Sequence, residues 1–194
     1  KEVTGWQKLS WGNEIDWYYF NTDGTMKTGW LQDGSTASGA PRWYYLQGSG
    51  KMASGWAQIQ YQGRLTWFYF EDDGTMKTGW YKDDSGRWFF LKGSGAMATG
   101  WQRLDWNGKT KWYYFANNGE METGWVLTDR WYYLNGDGSM ATGWQQIQYQ
   151  GRLRWFYLAP AGLSGYPEGA MLTGSHTIGG RRYTFESSGA WNGR

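Results

Sequence analysis

Residues 100–125 read GWQRLDWNGKTKWYYFANNGEMETGW: a Gly-Trp pair, a polar segment, an aromatic run, a glycine, a methionine and the next Gly-Trp pair. The same order recurs along the 194-residue chain, with successive Gly-Trp pairs 24, 26, 24, 21, 24 and 19 residues apart. Such a period is the signature of a repeat protein, in which each unit buries its apolar face against its neighbours. The pairs begin at Gly5, Gly29, Gly55, Gly79, Gly100, Gly124 and Gly143.

Each unit is predicted to be a β-hairpin. Aromatic runs such as WYYF at 112–115 favour a pleated strand, and helical periodicity is absent. Asn107-Gly108 is typical of the two-residue turn between paired strands, and Asn118-Gly119 turns the chain towards the next unit. The predicted fold class is therefore all-β, a solenoid of β-hairpin repeats. Seven repeats over residues 1–173 are expected to form one solenoid, and 174–194 a degenerate C-terminal capping repeat.

The repeats also differ in length, and long units can be distinguished from short ones. Units one, three, five and seven are long and carry an extra aromatic residue, whereas units four and six are short and unit two lengthens its turn over 34–41. An insertion at 159–169, with Pro160 and Pro167, interrupts unit seven and is predicted to be an exposed loop. The extra aromatic residues are Trp11, Tyr61, Trp106 and Tyr149.

Composition excludes several classes of function. The chain has 17 Trp and 15 Tyr but no Cys, so disulfides and thiolate metal sites are excluded. A net charge of +2 without a basic block gives no support to nucleic-acid binding. No apolar run approaches the roughly 20 residues of a membrane span. The single histidine, His176, lies in the degenerate cap, so we predict that the chain is not an enzyme and takes no cofactor or metal.

The aromatic residues can pack or bind. One face of each hairpin is expected to fill the space between units. The other presents the tryptophan of the Gly-Trp pair and the first tryptophan of the aromatic run, to which the next unit adds a tyrosine and a methionine. Indole faces at a groove attract a quaternary ammonium ion by cation–π interaction, but they can equally stack on sugar rings. The packing residues are predicted to include Tyr18, Phe20, Tyr44, Tyr113, Phe115 and Tyr132.

The motifs MKTGW at 26–30 and 76–80, METGW at 121–125 and the WYYF runs resemble a known family. Over essentially its whole length the chain is similar to the choline-binding repeats, or cell-wall-binding repeats, of pneumococcal surface proteins, autolysins and phage lysins. Glucan-binding and clostridial toxin repeats share fewer of these features and rank second. The resemblance implies a left-handed β-solenoid of the choline-binding type, with choline held between consecutive repeats.

The resemblance also implies the residues of each site: two tryptophans of one repeat and a tyrosine of the next, beside a methionine. Carried over, the choline-binding residues are Trp6, Trp17 and Tyr45 near Met52 at the first junction; Trp30, Trp43 and Tyr69 near Met76 at the second; Trp80, Trp88 and Tyr114 near Met121 at the fourth; Trp101, Trp112 and Tyr133 near Met140 at the fifth; and Trp125, Trp131 and Tyr157 at the sixth, where the insertion leaves the methionine unassigned.

Two junctions depart from this pattern. At the third, Trp56 and Trp67 meet Phe90 in place of a tyrosine, which predicts a weak site. At the seventh, the two tryptophans meet Thr184, which cannot close an aromatic cage, and no site is predicted.

The predicted function is a non-catalytic module that anchors a secreted protein to the cell wall or cell surface. Its partner would be choline or phosphocholine on teichoic or lipoteichoic acid, bound by cation–π attraction. The alternative is a carbohydrate (glucan)-binding repeat domain that stacks sugar rings on the same tryptophans. A structural spacer would leave these tryptophans packed and free of ligand. The sequence leaves open whether the chain forms a homodimer.

Overall fold

In a computed structural model that describes residues 3–11 and 14–193, the chain is all-β and forms eight two-stranded antiparallel sheets. Each sheet is one hairpin of two consecutive strands, so the predicted fold class of all-β hairpin repeats is confirmed. Hairpins 1 to 8 comprise β1 (Gly5–Trp11) with β2 (Glu14–Phe20), β3 (Gly29–Ser35) with β4 (Pro41–Leu46), β5 (Gly55–Tyr61) with β6 (Arg64–Phe70), β7 (Gly79–Lys82) with β8 (Trp88–Leu91), β9 (Gly100–Trp106) with β10 (Lys109–Phe115), β11 (Gly124–Leu127) with β12 (Trp131–Leu134), β13 (Gly143–Tyr149) with β14 (Arg152–Leu158), and β15 (Gly174–Ile178) with β16 (Arg181–Phe185).

The long and short units of the sequence appear as strands of different length. Strands of hairpins 1, 3, 5 and 7 have seven residues each, and those of hairpins 4 and 6 have four. In hairpin 5, Asn107 and Gly108 form the predicted two-residue turn, with φ angles of 49° and 74°. Two successive positive φ angles define the type I′ turn, whose twist matches that of the paired strands.

A short segment around each methionine joins one hairpin to the next. Met76 forms a β-bridge with Phe70 of its own hairpin. Its backbone N–H donates to the carbonyl of Trp43 in the preceding hairpin at 2.7 Å, and the next N–H, of Lys77, donates to Tyr69 at 2.8 Å. The methionine segment therefore hydrogen-bonds alternately to two hairpins. Equivalent bonds link Met52 to Trp17, Met97 to Trp67, Met140 to Trp112 and Met171 to Trp131, and Trp191 takes the methionine's place against Trp155.

The core lies between successive hairpins. The second and fourth positions of the aromatic runs face it, because alternate residues of a strand point to the same side. Among the residues predicted to pack there, Tyr113, Phe115 and Tyr132 are buried, whereas Tyr18, Phe20 and Tyr44 are half-buried. The fourth position is fully buried in six of the runs, at Leu46, Phe70, Leu91, Phe115, Leu134 and Leu158.

The chain divides into two compact units, Lys1–Ala98 with hairpins 1 to 4 and Thr99–Arg194 with hairpins 5 to 8. The eighth hairpin carries a bridge between Phe185 and Trp191, as the other seven carry a bridge to methionine. The grouping of residues into 1–173 and 174–194 stays a prediction. Within the described part of the chain, no helix is long and apolar enough to cross a membrane.

The insertion at 159–169 is exposed only in part. Its ends are closed by two hydrogen bonds, from the N–H of Gly169 to the carbonyl of Ala159 at 2.7 Å and from Ala159 to Ala170 at 2.8 Å. Ala159 and Ala170 are fully buried, and Leu163 and Tyr166 pack against the cluster that contains them. The insertion is therefore an ordered extension of the turn after β14.

In six of the turns that follow an aromatic run, a glycine is required by the methionine of the preceding hairpin. Gly95 has φ +82°, and a Cβ there would overlap the side chain of Met76. Gly79 has φ +80°, but a Cβ there meets nothing within 4 Å. An L-residue in the left-handed region costs about 1–2 kcal/mol, so both Gly95→Ala and Gly79→Ala should lower the free energy of unfolding by about that amount in urea denaturation.

Only Gly95→Ala should also displace Met76. Carbon-13 labelling of the methionine methyl groups gives seven signals, one per methionine. The Met76 signal should move in Gly95→Ala and stay in place in Gly79→Ala. Equal movement in both variants would show that the close approach of Gly95 to Met76 is incorrect.

Candidate functional site

In five hairpins the two tryptophans meet at nearly a right angle, an arrangement here called the Trp corner. In hairpin 2, Trp30 pairs with Tyr45 and Gln32 pairs with Trp43, so both tryptophans project from the same face. Their ring centroids lie 6.5 Å apart with planes at 82°. Four further corners have separations of 6.1–6.4 Å and angles of 84–88°: Trp56 with Trp67, Trp80 with Trp88, Trp125 with Trp131, and Trp144 with Trp155.

At junction 2, between hairpins 2 and 3, the Trp corner opens into a cavity of about 380 Å³. Its walls are Trp30 and Trp43, with Met76 and Tyr61 from hairpin 3. Gly93 and Ser94, from the turn after hairpin 4, complete the rim. Three successive hairpins thus build one aromatic cage.

Junction 5 has a cavity of about 250 Å³ of the same construction. Trp101 and Trp112 of hairpin 5 form two walls, and Tyr132 and Met140 of hairpin 6 add two more. The rim again comes from two hairpins further along, and here it consists of Pro167 and Glu168 of the insertion.

The tyrosine that crosses a junction is one position earlier in the aromatic run than the resemblance implied. Tyr44, not Tyr45, contacts Trp6 of the preceding hairpin, with ring centroids 4.9 Å apart. Tyr45 contacts Trp30 of its own hairpin at 5.1 Å. The second-position rings that cross a junction are Tyr44 to Trp6, Phe68 to Trp30, Phe89 to Trp56, Tyr132 to Trp101, Phe156 to Trp125 and Tyr183 to Trp144, at 4.8–5.1 Å.

Strand alternation is the physical reason for this placement of the rings. Neighbouring residues of a strand point to opposite faces, so a run whose second residue faces the preceding hairpin turns its third residue away from it. The third residue then lies beside the Gly-Trp tryptophan of its own hairpin. The contacts of this kind pair Trp30 with Tyr45, Trp56 with Tyr69, Trp80 with Phe90, Trp101 with Tyr114, Trp125 with Tyr133 and Trp144 with Tyr157, at 5.1–5.3 Å.

The methionines lie where the resemblance placed them in both cavities. Met76 lines the cage of junction 2, and Met140 lines that of junction 5. Met52 donates its backbone N–H to Trp17 at 2.8 Å, and Met171 donates to Trp131 at 2.8 Å despite the insertion before it. In the fourth predicted set, Trp80 and Trp88 belong to the first unit, and Tyr114 and Met121 to the second.

At the third and seventh junctions the residues in contact differ from those expected. Phe90 lies against Trp80 of its own hairpin, and Tyr81 contacts Trp56 with centroids 5.9 Å apart. Burial and a hydrogen bond to Tyr69 raise the pKa of the Tyr81 phenol, which stays neutral. At junction 7, Thr184 pairs with Ser175 by hydroxyl groups 3.0 Å apart, and Tyr183 and Trp191 contact Trp144 instead. A weak third site and an absent seventh site stay predictions.

Two components of the cages were missed from the sequence. Tyr61 closes the cage of junction 2, and its counterpart Tyr149 packs in the cluster with Trp125 and Met171. The signal was present, because both are extra aromatic residues of the long hairpins. The rim residues, such as Ser94 and Glu168, come from two hairpins further along. The sequence pattern relates only consecutive repeats, so it does not indicate that these residues reach the cage.

The corners present neutral aromatic faces to which a cation can bind. Burial, followed by its hydrogen bond to Asp129, raises the pKa of Tyr132 to about 12, so this ring is a neutral phenol at physiological pH. In hairpin 4 the ammonium of Lys82 already lies 5.4 Å from the ring centroid of Trp88. A cation within about 6 Å of an indole centroid is attracted by the ring's quadrupole.

Parts of the chain match models of known protein families. A protein-family model described as "Choline-binding repeat" matches residues 53–101 and 98–137. A second family model, described as "Putative cell wall binding repeat", matches residues 4–26 and 42–52. A search of curated proteins gave no match.

Several solved structures are similar over nearly the whole chain. CbpJ from Streptococcus pneumoniae TIGR4 is 34% identical with a TM-score of 0.78, over 98% of this chain and 66% of that one. CbpF in complex with ipratropium is 35% identical with a TM-score of 0.72, over 97% and 59%. The chain thus spans less than two thirds of the length of these two relatives. Choline binding protein F from Streptococcus pneumoniae, in another crystal form, is 30% identical with a TM-score of 0.62, over 97% of this chain and 80% of that one. With its hairpin repeats and Trp corners, the chain belongs to the choline-binding repeat family.

Proposed function

We propose that this chain is a non-catalytic wall-binding module that holds a secreted protein on the cell surface by binding choline of teichoic acids. The observation that carries the proposal is the Trp corner, closed by a methionine and an aromatic ring of the next hairpin. A trimethylammonium group has no hydrogen to donate, so recognition depends on aromatic faces and on contact. The cages of junctions 2 and 5 supply both.

The relatives support a quaternary ammonium ligand. One of the similar structures holds ipratropium, which carries a quaternary nitrogen. The chemistry of the cage suits such a head group, because two perpendicular indoles can each lie within about 6 Å of one cation. Methionine adds a polarisable wall without competing hydrogen bonds.

Repetition makes weak cages useful on a polymer. Teichoic acid displays choline many times, so binding at one junction raises the effective concentration of choline at the next. Avidity can exceed the affinity of a single cage by roughly 10²–10⁴ when geometry allows simultaneous binding. The repeated Trp corners are therefore consistent with an anchor.

A glycan ligand is the second candidate, and one observation favours it. A second cavity, of about 360 Å³, shares Trp43 and Met76 with the cage of junction 2 and is lined by Pro41, Arg42 and Asp73, together with threonine side chains. Hydrogen bonds from Thr75, and then the Arg42 guanidinium, hold the pKa of Asp73 below its usual value. An indole bordered by hydroxyl groups and opposite charges suits a sugar ring.

A choline titration of the full chain tests the proposal. Choline should move the methyl signals of Met76 and Met140 saturably, because both side chains line cages. It should also raise the melting temperature, since ligand binds only the folded state. Tetramethylammonium should compete. Methyl signals that stay in place at saturating choline would rule out the cages as choline sites.

Glucose oligomers, titrated separately, test the second candidate. A sugar in the polar cavity should move Met76 and not Met140, and Arg42→Ala should remove that response while leaving the choline response intact. A glucan response without any choline response would replace the first proposal by the second.

Single tryptophan substitutions test whether the cages act independently. Trp112→Ala should abolish the choline response of Met140 and leave that of Met76. Trp43→Ala should abolish the choline response of Met76 and leave that of Met140. Each variant is the matched control for the other, and circular dichroism checks that both fold. Loss of both responses in either variant would contradict independent cages.

A further inference from the structure

The insertion at 159–169 is built into the second unit by its side chains. Leu163 and Tyr166 pack against a buried cluster that includes Ala170 and Leu172. The Arg130 guanidinium lies 5.1 Å from the centroid of the Tyr166 ring, within range of a cation–π interaction. These contacts hold the insertion in one position.

That position is set against the cage of junction 5. Gly169 takes the place of the turn glycine found in other repeats, since a Cβ there would overlap the side chain of Met140. The two residues before it, Pro167 and Glu168, therefore reach the rim of the cage. At junction 2 the corresponding residues are Gly93 and Ser94. The insertion thus replaces a neutral rim by one with a carboxylate.

Among the residues described, no ion pair or hydrogen bond involves the Glu168 carboxylate. Arg103 lies directly opposite Trp112 in the β9–β10 pair and brings a positive charge to the same hairpin. At junction 2 the residue opposite Trp43 is the neutral Gln32. Glu168 lines the cage, whereas Arg103 is not among the residues that line it, so the carboxylate adds attraction for a cation in the cage.

We propose that Glu168 makes junction 5 a charge-assisted cage, whose preference for choline over phosphocholine is stronger than that of junction 2. The inference rests on the proposed function and adds a specificity-determining residue to one of its sites. The carboxylate attracts the ammonium group and repels a phosphate attached to the same ligand. Junction 2, whose rim is uncharged, discriminates less between the two ligands.

Site-resolved titrations of the full chain with choline and phosphocholine test this proposal. Glu168→Gln should weaken choline binding reported by Met140 by about 1.5- to 5-fold, the range expected of an exposed ion pair. The variant should also reduce the ratio of the affinity for choline to that for phosphocholine, as reported by the Met140 signal. The affinities reported by the Met76 signal should not change. Near 1 M salt, where the Debye length is about 3 Å, wild type and variant should converge.

The reverse substitution is the matched control. Ser94→Glu places a carboxylate at the equivalent position of junction 2 and should strengthen choline binding at Met76 by a similar factor. If Glu168→Gln leaves the affinities at Met140 unchanged while Trp112→Ala abolishes them, the role of Glu168 is refuted and the cage stands. If choline moves no methionine signal in the wild-type chain, the proposed function fails and this inference with it.

Discussion

The hydrogen bond from a methionine N–H to the tryptophan carbonyl of the preceding hairpin is the constraint on which the rest of the structure depends. Over residues 3–11 and 14–193, each hairpin is a separate two-stranded sheet, so no continuous ladder there holds the repeats in register. The bond from Met76 to Trp43, at 2.7 Å, fixes one hairpin against the next. It also places the methionine side chain beside the Trp corner. One backbone contact therefore sets both the stacking of the repeats and a wall of the cage.

The aromatic residues divide between stability and recognition according to their position in the run. Second- and fourth-position rings such as Phe68 and Phe70 are fully buried. Burial of each such ring contributes about 1.5–3 kcal/mol. First-position tryptophans such as Trp67 and Trp155 stay about 40% exposed at the rim of their corners. Because the core is filled by other rings of the same run, the outer tryptophans are available to a ligand.

Hairpin repeats, their turns and the methionine positions follow from sequence patterns that act locally. Asn107-Gly108 predicts a tight turn between two strands, and the spacing of Met76 from its aromatic run is short. Within each unit, the ring in contact across a junction lies one position earlier in the run than the tyrosine that the resemblance implies, because the resemblance supplies a residue type and not the face of the strand. The choline-binding role of the implied tyrosines stays a prediction. Tyr61 and Glu168 reach their cages through stacking over one or two hairpins, and local patterns carry no information about that distance.

The contribution of a third hairpin to each rim has a consequence for how such arrays diverge. A Trp corner belongs to one repeat, but the residues at its rim belong to the repeat two places later, as with Trp43 and Ser94. Loss or duplication of a single repeat therefore gives existing corners new rims without any change in the corners themselves. Recombination between repeats can in this way reassort ligand preference separately from the aromatic framework, and an insertion in one turn changes a cage whose tryptophans lie 56 and 67 residues upstream of Glu168.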